Sequence, residues 1–542
     1  VTRRRDIWTP IVLAIWVIVL GLLVWPLSSV VLASLRLDGH VSPGHYVSII
    51  SQPRYLGAIG NTFLVGIGGM VGAMLLGVTL AFVVTRFAVR GRRLIEILAL
   101  IALVSPPFIG AYAWIVLFGA NGSVRRGLMQ IGITIPPIYG AAGVILVFSL
   151  KFFPNVFLIT SGAFAGVSRS LEEAAESLGV SPARRVLTIT LPLILPAITA
   201  SGLLAFVLSI ADFGTPQIIG RNFQVLATQA FTLYSADLGS DQGQASAISL
   251  VLVLISLIFV LLQRRLMRRD IYHNSGMKPT DRRAIQGGRA ILLHGIAYLI
   301  VLLGSMPAIV VIIFSFRRTR GPVFQPGFAL QSYQRIIETV PDAIRNTLVF
   351  SAIAVAGIVV VGTLLGYVIT RRPSAATAAL DGLLTVPYVV PGVVMGIAYI
   401  ATFNAPPVVL TGTGAIIILS IFIRRLPYTA SAVGTALRQI SPSLEDAATS
   451  LGVPPGRAFL KVTAPLILPG IIAGGMMSLV TAMNELSSSL VLYVGGTVTM
   501  PVRIYVAVID GDYGTAAALA TILIVLTALA VFAASSIVRT PK

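Results

Sequence analysis

The sequence contains no cysteine, so disulfides and thiolate metal sites are excluded. Its four histidines, His40, His45, His273 and His294, are scattered and show no ligand spacing. Lysine is as rare: Lys151, Lys278, Lys461 and Lys542 are the only ones, and none follows a glycine. A phosphate-cradling P-loop needs a Gly-Lys step, so the chain does not bind ATP by that device. Charge is scarce too. Asp, Glu, Lys and Arg make up 11% of 542 residues, where a soluble domain carries roughly 25%. That excludes two or three ordinary soluble domains. The 39 basic and 19 acidic residues leave a net charge of +20. The arginines cluster at the ends of apolar runs, as cytoplasmic loops do, and no nucleic acid partner is expected.

What is there is 56% hydrophobic. Runs long enough to cross a bilayer, about 20 residues each, fall near 11–35, 57–85, 94–118, 138–162, 192–212 and 244–263. A second set falls near 290–316, 345–370, 380–403, 413–437, 465–484 and 514–538. The first run is too long for the core of a signal peptide and is expected to remain as a membrane helix. The expectation is an all-α integral membrane protein of twelve transmembrane helices, with lipid as its surroundings. Arg3 to Arg5, Arg86 to Arg93, Arg264 to Arg269 and Arg371 to Arg372 all fall on one side if the N-terminus is cytoplasmic. Arg317, Arg318 and Arg320 fall on the other.

The two halves repeat one another. "NTFLVG" from Asn61 resembles "NTLVFS" from Asn346, and Glu96 and Asp381 keep the same separation from them. From Pro154/Pro427 through Asp212/Glu485 the offset is constant (427 − 154 = 485 − 212 = 273). The halves therefore read as two parallel six-helix repeats, residues 1–270 and 289–542, joined by a polar cytoplasmic linker at 271–288. An even number of spans returns each half to the same orientation.

Inside that offset lies a polar sentence written twice, "LEEAAESLGV" from Leu171 and "LEDAATSLGV" from Leu444. Both fall in the cytoplasm, after the fourth and tenth spans. Ser170 with Glu173, and Ser443 with Asp446, have the spacing of a capping box. Leu171, Ala174, Ala175 and Leu178 form one apolar stripe over two helical turns, as do Leu444, Ala447, Ala448 and Leu451. Gly179 and Gly452 supply helix stops, and Pro182 and Pro455 suit the first turn of a following helix. A two-turn helix is unstable alone. Its stripe suits a groove on a partner.

"EAAESLGVSPARRVLTITLPLILP" resembles the EAA loop of ABC-importer permeases. Glu173, Ala174, Ala175, Gly179, Ile189, Leu191 and Pro192 fill the motif. In the second copy Asp446, Val462 and Ala464 depart from it, while Ala447, Ala448, Gly452 and Pro465 are retained. The resemblance implies the type I ABC importer permease fold in the bacterial cytoplasmic membrane, as a fused dimer. It implies docking of each loop on an ATPase subunit, hence two ATPase copies. It also implies a periplasmic or lipid-anchored substrate-binding protein. ATP would sit on the partner and this chain would bind no cofactor and catalyse no reaction.

"ADFGTP" from Ala211 and "MNELSSSLVL" from Met483 resemble the ferric-iron importer permeases; similar fused permeases are associated with thiamine and 2-aminoethylphosphonate. Asp212 and Glu485 lie about twenty residues beyond the loop proline, roughly 30 Å of helix. They are expected near outer helix ends, lining the translocation path as two carboxylates suited to a hard cation such as Fe³⁺. Arg221 and Arg503 are their alternative partners. An ion-coupled secondary transporter is the rival. Such carriers place ionisable groups deep in the membrane, whereas the acids here fall in loops or at span ends.

Overall fold

The computed structural model describes residues 7–104, 107–167, 169–235, 241–267, 282 and 284–538. Most of the 271–288 linker, Arg3 to Arg5, Arg268 and Arg269 lie outside the described residues. Among the described residues, ten helices are long and apolar enough to cross a membrane. In the first half they are span 1 (Trp8–Ser34), span 2 (Pro53–Arg86), span 4 (Ala141–Gly166), span 5 (Val186–Ala211) and span 6 (Gln242–Met267). In the second half they are span 7 (Gly287–Ser315), span 8 (Pro341–Arg371), span 10 (Gly414–Arg438), span 11 (Pro455–Met483) and span 12 (Tyr513–Val538).

Spans 3 and 9, expected near 94–118 and 380–403, are each a bent pair of helices. Span 3 is the pair Arg92–Val104 and Pro107–Phe118, and span 9 the pair Ala375–Val389 and Gly392–Phe403. They bend by 100° and 109°. Proline accounts for the second break. Val390 is extended (φ −75°, ψ 116°) ahead of Pro391, whose ring disfavours a helical residue before it. The Arg317–Arg320 cluster forms one strand of an antiparallel hairpin with Val323–Phe328.

Within each half, span 2 packs on spans 4 and 5, and span 8 on spans 10 and 11. The first helix of each repeat crosses to the other half. Trp8, Ile15, Val19 and Leu23 of span 1 are buried with Ile358, Leu365 and Tyr367 of span 8. Tyr399 Oη donates to Leu22 O at 2.9 Å, and Thr402 Oγ1 to Ser29 Oγ at 2.9 Å. Span 7 returns the exchange. A Cβ at Gly304 would lie 2.3 Å from Phe153 Cε1 of span 4, so the two helices touch where only glycine fits.

The repeated Asn-Thr steps have repeated contacts. Thr62 Oγ1 accepts from Leu226 N at 2.9 Å, and Thr347 Oγ1 from Met500 N at 2.7 Å. Asn61 Nδ2 donates to Gln224 O, and Asn346 Nδ2 to Gly496 O and Val498 O. Each pair thus satisfies free backbone groups at or before the start of a short helix, Leu226–Tyr234 or Met500–Ile509.

Candidate functional site

Both polar loops fold as helix, left-handed glycine, helix. The first helix is Arg169–Ser177 and its counterpart Ser443–Ser450. Gly179 has φ +75° and Gly452 φ +86°. Val180 N donates to Ala175 O at 3.0 Å and Val453 N to Ala448 O at 3.1 Å, the long closing bond of a Schellman end. A Cβ at either glycine would meet nothing within 4 Å. Backbone conformation alone therefore demands glycine there. Pro182 and Pro455 then open the one-turn helices Pro182–Arg185 and Pro455–Ala458. Each continues through a five-residue π-helical stretch, Val186–Thr190 or Phe459–Thr463, toward the membrane.

The expected capping box is not formed in the second loop. Its helix begins at Ser443, after Pro442, with no side-chain cap; Ser441 Oγ instead accepts from Ser443 N at 3.3 Å. Proline supplies helical φ itself, which moves the start by one residue relative to the serine spacing. The side chains of Ser170 and Leu171 lie outside the described residues. Glu173, Ala174, Asp446 and Ala447 are exposed, Ala175 is buried and Ala448 is half-buried. Leu178 and Leu451 are 82% and 86% exposed, so each stripe ends in a leucine that its own chain leaves uncovered.

The loops are anchored differently. Arg185 Nη1 donates to Glu176 Oε2 at 2.5 Å in the first. In the second, Glu445 accepts from Tyr367 Oη and, at 3.2 Å, from Thr463 Oγ1. Tyr367 in turn packs tilted against Trp8, 4.3 Å between ring centres, tying this loop to spans 8 and 1. The sequence reading did not single out Glu445 or Tyr367.

Asp212 and Glu485 occupy equivalent places and make equivalent contacts. Asp212 ends the helix of span 5 and pairs with Lys151 Nζ of span 4. Its Oδ1 accepts from Thr215 N at 2.8 Å. Glu485 pairs with Arg424 Nη1 at 2.5 Å and with Arg425 Nη2, both from span 10. Its Oε1 accepts from Ser488 N at 3.1 Å. The offset of 273 holds throughout, since 424 − 151 = 485 − 212 = 488 − 215. The two carboxylate side chains are only 8% and 3% exposed. The acid-bearing loops also meet each other, because a Cβ at Gly214 would touch Leu486 Cδ2 at 3.2 Å.

Neither expected arrangement, two unpaired pathway carboxylates or a pairing with Arg221 or Arg503, is what the geometry shows. Arg221 stacks on the Tyr139 ring at 3.5 Å, and neither it nor Arg503 pairs with the acids. The partners are Lys151, Arg424 and Arg425, ten or eleven residues into their helices and so about 15 Å from the end remote from the loop. Ionisable groups thus do lie deep within the spans. The available signal was a lone lysine and an arginine pair within apolar helices, which call for a named partner. Among the described residues, no three or more His, Asp or Glu side chains come together to hold a metal.

Comparison with known proteins gives a consistent result. The family described as "binding-protein-dependent transport system inner membrane component" matches residues 73–270 and again 358–540. The chain is 29% identical to a ferric transport system permease protein of Actinobacillus pleuropneumoniae, over 95% of this chain and 76% of that one. It is 26% identical to an Fe(3+)-transport system permease protein of Haemophilus influenzae, over 98% of each. A protein of Salmonella typhi assigned provisionally to 2-aminoethylphosphonate transport is 30% identical over 43% of this chain and 82% of its own length.

Removing one member of a buried pair strands a charge, at a cost of about 3–5 kcal/mol. Lys151→Met should therefore lower thermal stability sharply. The double change Lys151→Met with Asp212→Asn should recover much of the loss, because asparagine still accepts from Thr215 N. Thermal unfolding of the purified variants reads the difference; losses that simply add would contradict the pairing.

Proposed function

The chain belongs to the family of binding-protein-dependent transport system inner membrane components, and from that premise we propose that it carries ferric iron and is driven by one ATPase at each polar loop. It is a multi-pass inner-membrane permease of an ABC importer. A substrate-binding protein delivers its cargo, and ATP is hydrolysed by a separate subunit. The iron reading is supported by relatives that carry ferric transport names along nearly the whole chain. The phosphonate name of a relative matching one half supports 2-aminoethylphosphonate as the second reading.

The observation that carries the coupling role is the duplicated loop. Each copy presents Glu173 or Asp446, an alanine and an almost fully exposed leucine on a helix too short to stand alone. Glu173, Ala174, Ala175 and Gly179, with Asp446, Ala447, Ala448 and Gly452, form the two ATPase contacts. The left-handed glycines set the angle between the docked helix and the helix leading into span 5 or span 11. Asp212 and Glu485 belong to the translocation pathway as neutralised elements of its wall. Their loops touch between the two halves, which supports that position. The N-terminus and both loops face the cytoplasm, in keeping with the arginine distribution.

A side chain at left-handed φ costs roughly 1–2 kcal/mol and favours a different bend. Gly179→Val with Gly452→Val should leave the protein in the membrane and abolish ATP-dependent iron uptake, Gly179→Val alone having the larger single effect. Normal uptake by the double variant would reject the coupling role. The absence of native cysteine allows a clean check of sidedness in the same membranes. Leu178→Cys and Leu451→Cys, once the ATPase is stripped from the membranes, should react with an impermeant maleimide in inside-out vesicles and not in intact cells; the opposite pattern would reverse the orientation.

A further inference from the structure

The two ion-pair sites repeat each other in every charged group but one. Beside Lys151 the first half has Phe152; at the equivalent place, 152 + 273 = 425, the second half has an arginine. Lys151 and Asp212 balance. Glu485 alone faces two guanidinium groups, which leaves one positive charge in excess. Among the described residues, Glu485 is the only carboxylate in ion-pair contact with either arginine.

The excess lies deep. Arg424 and Arg425 stand ten and eleven residues into span 10, about half a hydrocarbon thickness from its start. Nε of each is buried and has no hydrogen-bond acceptor. The side chains are nonetheless 11% and 16% exposed, so the cluster is not sealed. The Arg425 guanidinium lies 6.0 Å from the Tyr428 ring, which packs edge-on against Tyr388, and Tyr388 is 39% exposed. The 109° bend of span 9 brings Gly392 against this site, where a Cβ would meet Arg424 Nη1 at 2.9 Å and Ser488 N at 3.0 Å.

A charge at that depth needs a counter-charge. A guanidinium offers a planar fork of donors matched to phosphate and carboxylate oxygens, and its weak hydration suits a dry site. We propose that Arg424 and Arg425 form an oxyanion subsite of the permease, which takes a phosphate-class group as the second partner of the arginine pair. Glu485 orients the two guanidiniums and leaves the Nε of each without an acceptor. The subsite rests on the permease reading and narrows its cargo. A bare trivalent cation is repelled there. Iron passes this point with an oxyanion ligand attached, or else the cargo is itself a phosphonate.

Arg425→Phe installs the residue that the other half already carries, so it tests the charge with little change in packing. The purified permease–ATPase complex is heated with millimolar inorganic phosphate or with chloride at equal ionic strength. Phosphate should raise the unfolding midpoint of the natural protein by about 2 °C or more, chloride should not, and the variant should lose the shift. No shift in the natural protein, or the same shift in the variant, would overturn the subsite. In proteoliposomes with the binding protein, the variant should lose at least about tenfold in uptake. Loss of 2-aminoethylphosphonate uptake identifies the free phosphonate as the source, and loss of iron uptake from ferric phosphate identifies the complex. Unchanged uptake of a cargo that the natural protein transports would reject a role in passage. If the natural protein transports neither cargo, the substrate reading fails, while the phosphate shift still decides the subsite.

Discussion

In each half of the molecule a carboxylate at the end of one span grips a cation in the middle of another. Asp212 holds Lys151, and Glu485 holds Arg424 and Arg425. The two spans so joined are the ones on either side of the polar loop. The ion pair therefore ties the far end of the second span to the middle of the first, and the loop joins the two at the other end. In a medium where a lone charge is costly, this contact is hard to break and leaves the spans little freedom to slide. The same carboxylates accept from Thr215 N and Ser488 N, so the chain beyond the hairpin is fixed to it as well. Under the proposed coupling role, displacement of a loop is carried to the contact between the halves, where Gly214 lies against Leu486.

Around these two hairpins the repeats are exchanged rather than set side by side. Span 1 is buried against the second half and span 7 against the first. A single folded unit results, although the sequence divides cleanly in two. The exchange also makes the loops unequal. Trp8 of span 1 reaches Tyr367 and Phe459 beneath the second loop, and Glu445 is held by Tyr367. In the first loop Arg185 pairs with Glu176, which is on the surface.

Much of this was legible in the sequence because its causes are local. Apolar runs of bilayer length locate the spans, and a fixed offset through polar residues exposes the duplication. Gly179 and Gly452 follow from a helix that must stop, and both adopt the left-handed conformation. The missed ion pairs arise from contacts between distant residues. Asp212 and Lys151 are 61 positions apart, and nothing near either names the other. The break in span 9 does not show in hydropathy, because Pro391 alters the backbone without altering polarity. The capping box at Ser443 failed for a local reason, since Pro442 competes with serine for the start of the helix.

The central claim is that one chain carries two complete coupling hairpins and thus does the work of a permease dimer. Native mass spectrometry of the complex purified with its ATPase tests it most directly. The account predicts one copy of this chain with two ATPase subunits. A complex holding two copies of this chain, or a single ATPase on one chain in an active preparation, would contradict it.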